Sequence, residues 1–155
     1  TFNDTETVIS SFDSDLFQLL SEHVSVLRYR GKNTVIYTPA QFCEKFGISP
    51  MQYADFKSLT GDTADNVKGA EKVGKKTASQ LIRKFGTLEA VLQNAEQIEK
   101  PSVRRSITEN AERLRLNYRL IKLDSTAKLP FALKDLRFEG SGFTTTEVLR
   151  GIRLK

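Results

Sequence analysis

The stretch LTGDTADNVKGAEKVGKKTA, residues 59–78, sorts its charges along the chain. Asp62 and Asp65 come first, and Lys68, Lys72, Lys75 and Lys76 follow, with Gly69 and Gly74 among them. The segment from Gly69 to Gly74 reads as a glycine-bounded hairpin. It leads at Gly74-Lys75 into an amphipathic helix with Ala78, Leu81, Ile82 and Phe85 on one stripe, ended by Gly86. Glycine lets a backbone approach another surface closely. The free N–H groups of a helix start bind phosphate. Between Asn66 and Gly86 there are six bases and one acid. Such a segment holds a nucleic-acid backbone without reading its sequence. Lys68, Gly69, Lys72, Gly74, Lys75, Lys76 and Thr77 are the candidate contacts. The competing reading is a solvated helix start, which has no need of glycines at both ends of a hairpin. A Walker-type phosphate loop does not fit, because the glycine spacing is wrong and no strand leads into it.

A second acidic pair, Asp13 and Asp15, lies two residues apart where a strand ends, so an extended chain puts both carboxylates on one side. Asp62 and Asp65 are three apart, on one side of a helical turn or tight loop. Carboxylates brought that close repel unless a cation sits between them, and Mg²⁺ or Mn²⁺ suits such hard oxygens. Each aspartate taken singly also reads as a helix cap or the start of an Asx-turn. The metal reading requires the two pairs to meet in space.

The 155 residues, 39% apolar and 28% charged, are an ordinary globular composition. No apolar run approaches the length of a membrane span, and no membrane partner is expected. One cysteine excludes an internal disulfide and fits a cytoplasmic location. One histidine excludes a multi-histidine zinc site. Cys43, beside Phe42 and Phe46, reads as core. Residues 1–65 hold nine acids and five bases, a net −4, which leaves +9 for the rest of a chain at +5 overall. This asymmetry points to a polyanion held next to a site that wants cations. A start at Thr1, running almost at once into a strand, predicts a piece of a longer protein.

The spacing predicts a strand from Thr7, a short helix after Asp15, and a hairpin over 24–38 turning at Gly31-Lys32-Asn33. It predicts a helix from Pro39 to Phe46 stopped by Gly47, and one from Pro50 to Leu59 with Met51, Tyr53, Ala54 and Leu59 inward. Further helices follow at Leu88–Ala95 and, in one run, Ser102–Lys122 with Arg104, Arg105, Arg113, Arg115 and Arg119 outward. The tail reads as an irregular connection and a final short helix over TTTEVLRGIRL.

Taken together, SSFDSDLFQLL and LTGDTADNVKGAEKVGKKTASQLIRKFGTLEAVL closely resemble the 5′→3′ exonuclease and flap endonuclease family. The likeness is to its bacterial type, which stands alone or forms the nuclease domain of DNA polymerase I. NYRLIKLDSTAKLPFALKDLRF also looks like that family's segment after the DNA-binding helices. The resemblance implies an α/β fold: at 1–48 the C-terminal part of a PIN-like 5′-nuclease core with a few strands. At 49–155 it implies a helical DNA-binding region with a helix–three-turn–helix at about 59–86. It implies a divalent-metal-dependent, structure-specific nuclease acting on duplex or branched DNA as a monomer. Asp13, Asp15, Asp62 and Asp65 match the carboxylates of its second metal site, which takes Mg²⁺ or Mn²⁺. Gly69, Gly74, Lys75, Lys76 and Thr77 fall on its DNA-backbone hairpin, which in the family also holds K⁺.

Two positions depart from the pattern: Phe12 stands where the family has glycine, and Lys72 replaces the hairpin's middle glycine. The family's first metal site lies upstream of anything in this chain. The chain therefore resembles a C-terminal half, expected to bind DNA weakly and to cleave poorly or not at all alone. The alternative is a non-catalytic helix-hairpin-helix DNA-binding module whose aspartates are only caps.

Overall fold

A computed structural model describes residues 5–128, together with 130, 131 and 135. Two compact units divide the chain, Thr1–Leu123 and Asp124–Lys155. All elements below belong to the first, and the expected C-terminal helix lies outside the described residues. The fold is mixed α/β and mostly helical.

Strand β1 (Thr7–Ser10) lies parallel to β2 (Val24–Arg28), with Thr7 opposite Val24 and Ser10 opposite Leu27. Parallel strands need a crossover between them, and a 3₁₀-helix over Asp15–Leu19 supplies it. Strand β3 (Val35–Tyr37) returns antiparallel to β2 through a 3₁₀ turn at Gly31–Asn33, as the alternation predicts. The sheet order is β1-β2-β3. Asp13 and Asp15 therefore leave the carboxyl end of a parallel strand, the edge at which open α/β sheets place their ligands.

Helix α1 (Pro39–Phe46) is fixed at both ends: Thr38 and Gln41 form a capping box, and Gly47 takes a left-handed φ of 67°. Phe42 faces inward from it and is fully buried, whereas Cys43 is exposed. The expectation of a core cysteine fails because the adjacent Phe42 takes the inward direction. Pro50–Gln52 is a 3₁₀ turn, and α2 (Tyr53–Thr60) begins only after it. That change of period turns Met51 outward to 78% exposure, against its expected inward position.

A short ribbon, β4 (Gly61–Asp62) with β5 (Val67–Lys68), links α2 to α3 (Lys75–Phe85). Helix α4 (Leu88–Gln93) follows. The single helix expected over 102–122 is two, α5 (Pro101–Glu109) and α6 (Ala111–Ile121). Asn110 breaks it. Its backbone N–H and its side-chain amide both donate to Ser106 O, at 3.2 and 2.7 Å, while its own carbonyl accepts from Leu114 N at 2.9 Å. Ile107, Leu114 and Ile121 keep one apolar stripe across the break, so periodicity carries no trace of it.

One core joins these parts. Phe17 on the crossover packs against Phe42 at 5.6 Å and Tyr53 at 5.7 Å between ring centres, and Leu59, Ile82, Val91, Ile107 and Leu114 continue it. Burying a Phe of this kind contributes about 2–3 kcal/mol. It also pins the crossover that carries Asp15 against α2, which carries Lys57.

Candidate metal centre and nucleic-acid interface

One aspartate of each pair meets the other. Asp15 Oδ1, from the crossover, and Asp62 Oδ2, from β4 just after α2, both accept from Lys57 Nζ. Lys57 also donates to Ser14 Oγ at 3.3 Å and is only 4% exposed. Its ammonium is the cation between the carboxylates. The two side chains are 17% and 14% exposed, so water screens them only partly.

Asp13 and Asp65 are placed differently. Asp13 is exposed, and its Oδ1 accepts from Asp15 N at 2.9 Å, holding the turn. Asp65 is exposed and lies within hydrogen-bonding reach of Asp62. Asp62 Oδ1 accepts from Ala64 N at 3.0 Å, so Asp62 both forms an Asx-turn and pairs with Lys57. Among the described residues, no three His, Cys, Asp or Glu side chains are arranged to hold a metal ion.

The titration of the cluster follows from these contacts. Burial pushes the Asp15 carboxyl up, and the nearby Asp13 and Asp62 charges add to this against the pull of Lys57. Burial acts the same way on Asp62, but Lys57, the Ala64 N–H and Asp65 outweigh it and hold its carboxyl below the usual range. Burial works against the charge on Lys57, yet its two carboxylate partners raise it above the ordinary lysine value.

Beside this corner the hairpin doubles back. Gly61, at φ 76°, and Gly69 face each other so closely that a Cβ on Gly61 would overlap the Gly69 backbone, and one on Gly69 would overlap Leu59 O and Gly61 N. Gly69 thus packs the ribbon against itself. Gly74 is different: nothing lies within 4 Å of where its Cβ would stand. It is the N-cap of α3 and supplies no side-chain hydrogen bond to the first N–H groups of the helix. Lys68, Lys72, Lys75 and Lys76 are exposed, with Thr77 half-buried behind them, and none of these lysines forms an ion pair among the described residues. Lys72 takes a left-handed φ of 64°, which costs a residue with a Cβ about 1–2 kcal/mol.

Sequence reasoning missed three residues of this region. Lys57 carries a helical pattern position and no motif. Asn117 on α6 is buried, and its amide donates to Ser58 O at 3.1 Å and Lys68 O at 2.9 Å. One turn earlier, Arg113 donates to Gly69 O at 2.9 Å, although the helical pattern put it on the outward side. The i, i+4 spacing of these two was the available signal. They tie α6 to the hairpin. The carbonyls of Lys68 and Gly69 are therefore already engaged, as is Ala70 O, which accepts from Val73 N at 3.2 Å.

A two-stranded ribbon between helices is thus set against carboxylates at the end of a parallel strand in an α/β protein. Residues 48–142 match the family described as the 5′-3′ exonuclease C-terminal SAM fold, and the chain belongs to that family. It is 41% identical over 118 residues to the thermostable DNA polymerase I of Thermus aquaticus, covering 76% of this chain and 14% of that protein. It is 36% identical over 131 residues to a 5′-3′ exonuclease of Aquifex aeolicus, covering 84% of this chain and 43% of that one. The chain thus spans less than half the length of these relatives. Its fold is similar to that of the bacteriophage T5 D15 flap endonuclease in a complex with DNA and metal ions. That likeness has a TM-score of 0.67 at 23% identity and covers 75% of this chain and 42% of that one.

Proposed function

We propose that this chain forms part of a divalent-metal-dependent, structure-specific 5′→3′ exonuclease or flap endonuclease acting on DNA. The observation that carries this reading is the convergence of Asp15 and Asp62, 47 residues apart in sequence, on one cationic atom, with a helix start lacking a side-chain cap and four lysines without an ion pair among the described residues following in the chain. Hard carboxylate oxygens around a cation position fit Mg²⁺ or Mn²⁺ in donor chemistry. Asp15 and Asp62 would hold such an ion, with Asp13 and Asp65 beside them. When bound, the ion supplies charge neutralisation and an activated water for phosphodiester hydrolysis. Residues of the chain do the rest. Lys57 keeps the two carboxylates in register. The α3 N-terminus with Lys75, Lys76 and Thr77 binds a backbone phosphate, and Lys68 adds charge along the same edge. The β4–β5 ribbon joins both tasks, since Asp62 and Lys68 lie on its two paired strands.

The test is cleavage of a labelled 5′-flap substrate by the parent protein with Mg²⁺, wild type against Asp62→Asn/Asp65→Asn. Loss of cleavage with DNA binding retained supports the nuclease reading. Unchanged cleavage assigns the aspartates to turns only and leaves a DNA-binding module. The chain alone should bind flap DNA and cleave it poorly or not at all.

A further inference from the structure

Helix α6 is bonded to every part of the site, and it reaches α2 and the ribbon through their backbone carbonyls. Asn117 is 4% exposed, within the apolar stripe of Leu114 and Ile121. Its amide nitrogen donates to Ser58 O at 3.1 Å and to Lys68 O at 2.9 Å. Ser58 adjoins Lys57 on α2, and Lys68 ends β5, so one side chain bridges the carboxylate corner and the ribbon. One turn earlier, Arg113 Nη2 donates to Gly69 O at 2.9 Å. At the other end of α6, Ile121 O accepts from Gln18 Nε2 at 2.9 Å, and Leu123 N donates to Gln18 Oε1 at 3.3 Å. Gln18 lies on the crossover that carries Asp15. A leucine at 117 would continue the apolar stripe, whereas a buried amide costs free energy that only its hydrogen bonds offset. The ribbon has little else to fix its position. Its strands are two residues long, and Gly61 and Gly69 bring no side chains to pack; a two-stranded ribbon by itself is marginal.

We propose that α6, through Asn117 and Arg113, sets the distance from the DNA grip to the carboxylate corner and thereby selects which phosphodiester is cut. The proposal rests on the nuclease reading above. Asn117 and Arg113 are positioning residues, and both act through the carbonyls of Lys68 and Gly69. The scale of the problem shows why such pins matter. Along one strand of duplex DNA, phosphates recur about every 3.4 Å of helix axis. A ribbon displaced by that much presents the neighbouring phosphodiester to Asp15 and Asp62. A misplacement of about 1 Å already costs about 100-fold in rate. The lysines of the basic face hold phosphates as point charges on flexible stems and cannot define position this finely. Hydrogen bonds of fixed length from a packed helix to main-chain carbonyls can.

The experiment follows single-turnover cleavage of an end-labelled 5′-flap duplex by the parent protein with Mg²⁺, with products resolved to one nucleotide. Wild type is compared with Asn117→Leu, Arg113→Met and Arg113→Lys. Arg113→Met keeps the packing of the stem and removes the guanidinium at a half-buried position, so it decides the matter even where Asn117→Leu fails to fold. In both variants the rate at the wild-type position should fall about 10-fold or more, and products one nucleotide to either side should grow in share. The salt slope of DNA binding should keep its wild-type value, because no phosphate contact is lost. Arg113→Lys retains a donor for Gly69 O and should return the cut to the wild-type position. A purely structural role lowers all products in proportion. A cut that stays at the wild-type position in Arg113→Met, at whatever rate, overturns the inference and leaves the nuclease reading standing. No cleavage by the wild type overturns that reading, and the inference with it.

Discussion

The two ends of the 59–78 segment solve their electrostatics in opposite ways. At the acidic end the charges are half-buried and answered from within: Asp15 and Asp62 both bind Lys57, which is nearly sealed from water. At the basic end Lys68, Lys72, Lys75 and Lys76 stand exposed without an ion pair among the described residues. The acidic corner is assembled by folding, from segments far apart in sequence. The basic face needs only local structure, a hairpin and a helix start, and leaves its charge for something outside. Mutations should therefore disturb stability at one end and binding at the other.

The largest effect belongs to Lys57. Replacing it by Met keeps the volume and leaves two part-buried carboxylates facing each other. Breaking a buried pair in this way costs about 3–5 kcal/mol, read by urea denaturation. The triple variant Lys57→Met/Asp15→Asn/Asp62→Asn should recover most of that loss, because no charge is left uncompensated. Mg²⁺ should raise the Tm of Lys57→Met more than that of wild type, since the ion then takes an undefended position. An equal Mg²⁺ response in both proteins would mean that the carboxylates do not form a cation site.

Next come the glycines, which sharpen the contrast within one hairpin. Gly69→Ala forces a Cβ into the Leu59–Gly61 backbone and should cost about 3 kcal/mol. Gly74→Ala meets open space and should change stability by less than about 0.5 kcal/mol. If Gly69→Ala melts like wild type, the ribbon is looser than the close approach of its two glycines requires.

Asp55 gives the counter-case of a buried acid that forms no ion pair among the described residues, with only the more distant charge of Lys122 acting on it. It is 6% exposed, and its Oδ1 accepts from Leu88 N at 2.7 Å, capping α4 from a distance. Burial pushes its carboxyl up, and the hydrogen bond from Leu88 only partly opposes this. An acid whose folded pKa is raised binds its proton more tightly in the folded state. Its ionisation therefore lowers stability as pH rises from the unfolded value near 3.8 through the raised one. Asp55→Asn keeps the acceptor and should flatten that part of the pH–stability curve. Asp55→Ala strands the Leu88 N–H and should cost about 1–3 kcal/mol at any pH. Matching pH profiles for Asp55→Asn and wild type would show that Asp55 does not titrate there.

Local grammar made much of this legible in the sequence. Thr38, Pro39 and Gly47 bound α1 as caps and stops do, and the alternation around Gly31-Lys32-Asn33 gives the β2–β3 hairpin. The hairpin was readable only as to its neighbourhood: the glycines point to Gly69–Gly74, where the structure has a turn and the N-cap of α3, while the paired strands lie earlier, at Gly61–Asp62 and Val67–Lys68. What escaped depends on three-dimensional partners. Lys57 looks like any helical lysine until Asp15 arrives from the other side of the core. Asn117 and Arg113 look like a polar face until the hairpin lies against them. Asn110 splits α5 from α6 through its own side chain, while the heptad spacing of Ile107, Leu114 and Ile121 runs on unbroken.

The smallest expected change in stability comes from Lys75→Ala and Lys76→Ala. Both side chains are exposed at the first turn of α3 and touch no acid among the described residues. Bases at a helix start oppose its dipole, so each substitution should leave stability within about 0.5 kcal/mol or raise it slightly. DNA affinity should move the other way. Each loss should weaken binding similarly on flap, nicked and plain duplexes and reduce the salt slope by about 1, because a backbone contact carries no sequence information. A variant that loses stability and DNA affinity together would break the division between the two ends, by showing that the basic face also holds the fold.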